Sequence, residues 1–361
     1  MISTLTEATP ERLAGFDAII DVRSPAEFAD DHVPGAVNLP VLSNEERAQV
    51  GTIYVQESRF KARRIGAAII ARNVAGHLEN ALADKPGSFA PLVYCWRGGQ
   101  RSGAMATILD QIGWRVSVLA GGYRTYRRRV TAALYEAEPG LRVVLLDGQT
   151  GVAKTDILGR LAARGVQILD LEGLAAHRGS LFGALTEPQP PQKLFESRVL
   201  AAMEGLDSGR PVVVEAESSK VGELNLPPTL WKAMTAAPRL VLSAPREARA
   251  AYLLEAYGDV AADRERLFDI LARLPPHHGK DQRTAWRDLA AKGDFRLLAE
   301  SLIEAHYDPG YARSARRDER EILGEVALAD LSIANREAAA DRILGLLPTV
   351  GTCPTTSPRH A

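Results

Sequence analysis

One stretch of this chain gathers a thiol, two glycines and an arginine: Cys95-Trp96-Arg97-Gly98-Gly99-Gln100-Arg101-Ser102. The apolar run 91–95 before it reads as a strand that delivers Cys95 to a loop, and residues 101–112 read as the helix that follows. A thiol between a strand end and a helix start faces converging backbone N–H groups and the positive end of a helix dipole, which favour its anionic form. Gly98 and Gly99 let the backbone curl so that its amides point inward as a nest. Arg101 can close such a cradle with a bidentate guanidinium fork. The pattern predicts Cys95 and Arg101 as catalytic residues, with Trp96, Arg97, Gly98, Gly99, Gln100 and Ser102 forming an anion-binding loop.

A second anion site is predicted at Gly148-Gln149-Thr150-Gly151-Val152-Ala153-Lys154-Thr155. An apolar strand precedes it and a helix follows, the context in which a Walker-type phosphate loop works. Gly148, Thr150, Gly151, Lys154 and Thr155 are the expected diphosphate-binding residues, and the Thr155 hydroxyl is a candidate Mg²⁺ ligand. Ala153 stands where glycine is usual before the lysine. Asp170 and Glu215, each ending an apolar strand, are candidate metal partners. His177, Arg178 and Glu217 lie close to them in sequence and are candidate substrate contacts. No hydrolytic apparatus is evident beside this loop.

These sites need two scaffolds. The strands read at 16–22, 91–95 and 116–119 alternate with helices at 58–83, 101–112 and 123–135, which predicts a parallel sheet covered on both faces. The polar segment 136–140 contains Pro139-Gly140 and reads as a linker. A second alternating series follows, with strands at 141–147, 166–170, 211–215 and 239–243. Beyond residue 246 the pattern predicts helices at 246–257, 262–274, 281–291, 294–306 and 317–346. The expected fold is therefore α/β throughout, with a first domain over 1–135 and a phosphate-loop domain with a helical C-terminal part over 136–348. The tail 349–361, rich in Thr, Ser and Pro, is predicted to be disordered.

The chain has 361 residues, 46% of them apolar and 25% charged, enough to bury two cores, and its formal net charge of −1 leaves no polycationic tail. Nucleic acid would have to bind through a local patch, and Tyr123-Arg124-Thr125-Tyr126-Arg127-Arg128-Arg129 is one. Arg124, Arg127 and Arg128 are its candidate RNA contacts, with the tyrosines as stacking partners. Two cysteines, Cys95 and Cys353, are too few for a disulfide framework or a metal cluster. With no secretory signal and no membrane-length apolar run, the expectation is a cytoplasmic protein without membrane contact.

Residues around the cysteine loop resemble the rhodanese family. Asp21-Val22-Arg23 with Glu27-Phe28, then His32-Val33-Pro34-Gly35-Ala36-Val37-Asn38, match its two N-terminal signatures, and Gly121-Gly122 matches its last turn. The likeness covers residues 10–135 and implies that Asp21, Arg23 and His32 shape the domain. Five residues separate Cys95 from Arg101, one more than in ordinary rhodaneses. That spacing is shared with tyrosine and dual-specificity phosphatases, whose ligand is a phosphate-sized anion.

The whole order of motifs resembles the bacterial tRNA 2-selenouridine synthase family over residues 10–312. The cysteine loop and the phosphate loop are followed by Asp170 to Gly183, Val214 to Gly222 and His306-Tyr307-Asp308-Pro309-Gly310-Tyr311. The resemblance implies a transferase that replaces the 2-sulfur of wobble 2-thiouridine in tRNA with selenium from selenophosphate. It also implies S-geranylation from geranyl diphosphate as the preceding step. The phosphatase-sized loop suits selenophosphate, and the phosphate loop suits a prenyl diphosphate. The alternative expectation is a Cys-dependent phosphatase or a plain sulfurtransferase with a fused nucleotide-binding domain.

Overall fold

The computed structural model describes residues 1–348, which form two compact units, one of residues 1–137 and 190–204, the other of 138–189 and 205 onward. The tail 349–361, with its expected disorder and Cys353, lies outside the described residues.

The first unit is built on five short strands: β1 (Ser3–Leu5), β2 (Ala18–Asp21), β3 (Ala36–Asn38), β4 (Pro91–Tyr94) and β5 (Ser117–Leu119). They lie in the order β1-β5-β4-β2-β3 and every pairing is parallel. All of β4 is buried, as a central parallel strand requires, and its C-terminal end carries Cys95. The sheet packs against helices Arg59–Glu79 and Gln100–Ile112 through Ile20, Val93, Ile69, Ile70, Met105 and Leu109. Helix Gln192–Glu204, distant in sequence, also belongs to this unit.

The second unit has a five-stranded parallel sheet in the order β12-β11-β6-β8-β7, formed by β6 (Arg142–Gly148), β7 (Gln167–Leu169), β8 (Pro211–Glu215), β11 (Arg239–Ser243) and β12 (Ile322–Ala327). A two-stranded antiparallel ribbon joins β9 (Lys220–Val221) to β10 (Leu224–Asn225). The central strand β6 feeds the phosphate loop and helix Lys154–Ala163. Its chain leaves to one side while β11 and β12 are added on the other, and ligands of open α/β sheets bind where the order reverses in this way. A largely helical segment follows β11, with its own core of Leu267, Ile270, Leu271, Trp286, Leu298 and Leu302.

One expected element is wrong. Residues 317–346 do not form a single helix: β12 occupies Ile322–Ala327, and the helix begins at Ile333 after Ser332, whose side chain accepts from the Asn335 amide. Glu, Leu and Ala in this stretch favour a helix locally, but the open edge of β11 offers parallel pairing to Ile322 and residues 324–327. Tertiary pairing overrides a weak local preference.

Candidate functional site

Cys95 emerges from β4 with 3% of its surface exposed. Its Sγ accepts hydrogen bonds from the Gly99 amide at 3.3 Å and the Ser102 hydroxyl at 3.2 Å. Burial pushes the thiol pKa up, but the Ser102 hydroxyl and the Ser102, Gly99 and Arg97 amides outweigh it, and the net shift is downward. The positive end of the 13-residue helix Gln100–Ile112 points into the same loop. Loop and helix thus stabilise negative charge on sulfur, as a nucleophilic or anion-sharing thiol requires.

The back of the loop is closed by Gly121-Gly122. The Tyr123 amide donates to the Cys95 carbonyl at 2.8 Å, and the Arg124 amide donates to the Trp96 carbonyl at 3.3 Å. Gly122 sits at φ 60°, ψ −148°, a region essentially reserved for glycine. A Cβ there would overlap the Cys95 carbonyl oxygen and lie 2.6 Å from the Gly98 nitrogen. Gly122→Ala is expected to cost about 3 kcal/mol, the sum of backbone strain and overpacking. Denaturant unfolding measures this directly, and a loss below about 1 kcal/mol would mean that the turn relaxes freely.

Arg101 is held by an acidic partner from the first unit's helix Pro25–Asp30. Its guanidinium forks onto Glu27, at 2.6 Å and 3.2 Å, and Arg47 shares that carboxylate at 3.1 Å. Trp96 is half-buried against Tyr123, with ring centroids 5.2 Å apart, while Arg97, Gly98, Gly99 and Gln100 are exposed around the loop. Beneath them Arg23 is buried, paired with Asp21 at 2.6 Å, bonded to the Asp31 carbonyl and stacked over Tyr123 at 4.1 Å. Tyr123 donates to the Asp31 carboxylate at 2.7 Å. His32 lies flat on Phe28, with centroids 3.8 Å apart. These groups brace the loop from below.

In the second unit the phosphate loop lines a cavity of about 1750 Å³. Gly148 at φ 151° lies against Leu242, whose carbonyl oxygen a side chain would strike, and Gly151 at φ 86° holds a left-handed conformation packed tightly against Arg249. Ala153, the departure from glycine, holds φ 62° and ψ 35°, so the loop keeps the left-handed turn with a residue that is strained in it. Lys154 Nζ donates to the Gly148 carbonyl at 3.2 Å, and the Thr155 hydroxyl donates to Glu172 at 3.2 Å. Arg249, buried, donates to the Thr150 carbonyl at 3.2 Å and forks onto Asp308 at 2.7–2.8 Å, pinning the loop from behind.

Three carboxylates face Lys154 and Thr155: Glu172, Glu215 and Glu217 bring one oxygen each within 4.8 Å of one another. Burial and mutual repulsion push Glu172 up to about 9. Burial lifts Glu215 to about 7 against the attraction of Lys154, and it also raises Glu217. Glu215 Oε1 is buried without a hydrogen-bond partner. These three carboxylates around one lysine form a group that could hold a metal ion.

Sequence comparison agrees with both halves. The rhodanese-like domain family matches residues 7–129, and the family described as the tRNA 2-selenouridine synthase AAA domain matches residues 141–269. A tRNA 2-selenouridine synthase of Cupriavidus pinatubonensis is 34% identical, with 81% of this chain and 87% of that protein aligned. One of a Sulfurovum species is 36% identical over 84% and 90%. The chain belongs to the tRNA 2-selenouridine synthase family.

The other residues expected to serve a tRNA 2-selenouridine synthase fall in varied places. Asp170 stands beside the three-carboxylate group, near enough for its charge to raise the Glu215 pKa, and it caps helix Leu171–Leu174 by accepting from the Gly173 amide at 2.8 Å. His177 is buried, with Nδ1 unpartnered, and burial lowers its pKa. Arg178 lines the cavity and forks onto Asp259 at 2.8 Å and 3.0 Å. In the basic helix Tyr123–Thr131, Arg124 and Arg128 are exposed, whereas Arg127 is tied to Glu196 of helix Gln192–Glu204. Tyr123 and Tyr126 are buried and offer no face to a base. Glu172 was not singled out by sequence, although its place two residues after Asp170 puts it just past the same strand end. Among the described residues, no helix is long and apolar enough to cross a membrane.

Proposed function

We propose that this protein replaces the 2-sulfur of wobble 2-thiouridine in tRNA with selenium, in two steps served by two anion sites. In the first, the sulfur displaces diphosphate from C1 of geranyl diphosphate. The S–C1 bond forms, the C1–O bond breaks with its electron pair going to diphosphate, and the base loses its N3 proton. In the second, selenium delivered by selenophosphate attacks C2 and the geranyl thiolate leaves, while water cleaves the P–Se bond to release phosphate. The observation that carries this reading is the pairing, within one chain of this family, of an acidified thiol in an amide nest with a separate lysine-bearing phosphate loop. Selenophosphate suits the first site, because a phosphate-sized anion matches the longer Cys95–Arg101 loop. The exposed Arg124 and Arg128 are the tRNA contacts this reading favours.

The phosphate loop fits Mg²⁺. Thr155, Glu172, Glu215 and Glu217 would hold the ion, which would supply positive charge to a leaving diphosphate. The unpartnered oxygen of Glu215 and the raised carboxyl pKa values are the features such an ion would resolve. They also set a pH dependence. Glu172 and Glu215 keep protons at about 9 and 7 in the folded chain, above the ordinary value of 4.5, so the folded state binds more protons than the unfolded one across that window. Stability without metal should therefore fall as pH rises from about 4.5 towards 9. Mg²⁺ should raise the melting temperature more at about pH 9 than at about pH 6, because it binds the ionised carboxylates. Melting curves with and without EDTA check this, and an equal Mg²⁺ effect at both pH values would count against the site.

The activity itself is tested by nucleoside mass spectrometry of 2-thiouridine tRNA incubated with protein, selenophosphate and geranyl diphosphate, omitting each donor in turn. Selenouridine should require both donors, and S-geranyl-2-thiouridine should accumulate when selenophosphate is left out.

A further inference from the structure

His306 and Tyr307 lie on a single π-turn, Ile303–Tyr307, between helices Phe295–Leu302 and Asp308–Ala315, and both line the phosphate-loop cavity. Such turns recur at functional sites. This one is strapped to the phosphate loop, because the Arg249 guanidinium that forks onto Asp308 also donates to the Thr150 carbonyl. His306 Nδ1 is hydrogen-bonded to His278 Nε2 at 3.0 Å, which leaves Nε2 as the ring nitrogen that can meet a ligand in the cavity. His278 packs edge-on against the buried ring of Trp286, with centroids 5.0 Å apart, and Trp286 is fixed by donating to the Ser301 hydroxyl at 2.9 Å. An imidazole whose second nitrogen is held by a fixed neighbour is oriented as a general base needs to be. We propose that His306, oriented by His278, is the general base that takes the N3 proton of 2-thiouridine as its sulfur is alkylated.

This rests on the reading that geranylation takes place at the phosphate loop, and it assigns the proton which that step releases. As the S–C1 bond forms and the C1–O pair leaves with diphosphate, the C2–S double bond becomes single. The N3–H electron pair then closes a C2–N3 double bond, and the proton passes to His306 Nε2. To accept there, neutral His306 carries its own proton on Nδ1 and donates it to His278 Nε2, and the imidazolium that forms keeps this bond. Burial, with His278 and His277 beside it, lowers the His306 pKa, while burial, His277 and Arg283 lower that of His278. Both rings are therefore uncharged near neutral pH, and His306 is ready to accept. The charges on the helices packed around the turn are held in pairs, Arg246 with Glu304 at 3.0 Å and Arg249 with Asp308 at 2.7 Å.

Single-turnover geranylation of 2-thiouridine tRNA by the full chain, read by nucleoside mass spectrometry from about pH 6 to about pH 9, tests the assignment. Near neutral pH, His306→Gln should slow the step about a hundredfold or more while geranyl diphosphate and tRNA bind as tightly as to wild type. Hydroxide replaces an absent base as pH rises, so the deficit against wild type should shrink by up to about tenfold per pH unit. The phosphate-loop carboxylates titrate in both proteins and cancel in that ratio. His278→Leu should slow the step about tenfold, and His278→Gln, whose carbonyl can accept from Nδ1–H, should recover most of the rate. This pair carries the test if His306→Gln fails to fold. A deficit that stays constant with pH, or that lies wholly in substrate affinity, would overturn the assignment. Wild-type protein that forms no S-geranyl-2-thiouridine at any pH would instead remove the prenyl reading itself, and this role for His306 with it.

Discussion

Cys95→Ser protein is expected to make S-geranyl-2-thiouridine in tRNA and to stop there, with selenium incorporation down by about a thousandfold or more. The reasoning is chemical. A serine hydroxyl stays protonated near neutral pH, so the anionic form that the Gly99 amide and the Ser102 hydroxyl favour on sulfur is no longer available. The exchange is nearly isosteric at a site only 3% exposed, so the fold should survive, and circular dichroism and melting temperature provide the control. Cys353, in the tail, should be replaceable by serine without effect. Selenouridine formed at the wild-type rate by a folded Cys95→Ser protein would remove the thiol from the mechanism.

Lys154→Ala should produce the opposite defect. Lys154 is the cation set among Glu172, Glu215 and Glu217, and its charge opposes the rise that burial imposes on the pKa values of all three. Removing it leaves a leaving diphosphate facing carboxylates with one positive charge fewer. Geranyl diphosphate affinity should fall about tenfold or more, and geranylation by about a hundredfold, the usual loss for a charge that acts on a developing anion. Calorimetry and single-turnover nucleoside analysis separate the two effects. Equal affinity in wild type and variant would mean that the loop holds some other ligand.

The parts of this account that depend on short-range chemistry were legible in the sequence. A strand, a cysteine and two glycines, or a strand, two glycines and a lysine, dictate where amides and side chains must point. Both loops sit at the ends of central parallel strands, as that chemistry demands. What the sequence hid depends on distant partners. Glu172 joins Glu215 and Glu217 only because β7 and β8 pair side by side. Arg127 reads as a free cation until helix Gln192–Glu204 brings Glu196 to it. The tyrosines of the basic helix look available until Val130 is seen to be buried with them on one face. β12 reads as a helix because nothing local announces the open edge of β11.

The claim that each site serves one step is tested most directly by supplying the product of the first step to a protein that cannot make it. Purified S-geranyl-2-thiouridine tRNA and selenophosphate should be given to Lys154→Ala protein that is folded and binds tRNA, with the nucleosides read by mass spectrometry. Selenouridine at close to the wild-type yield is the expected result, since the cysteine loop is intact. No selenouridine from that protein would mean that the phosphate loop also serves selenium transfer, and the division between the two sites would be wrong.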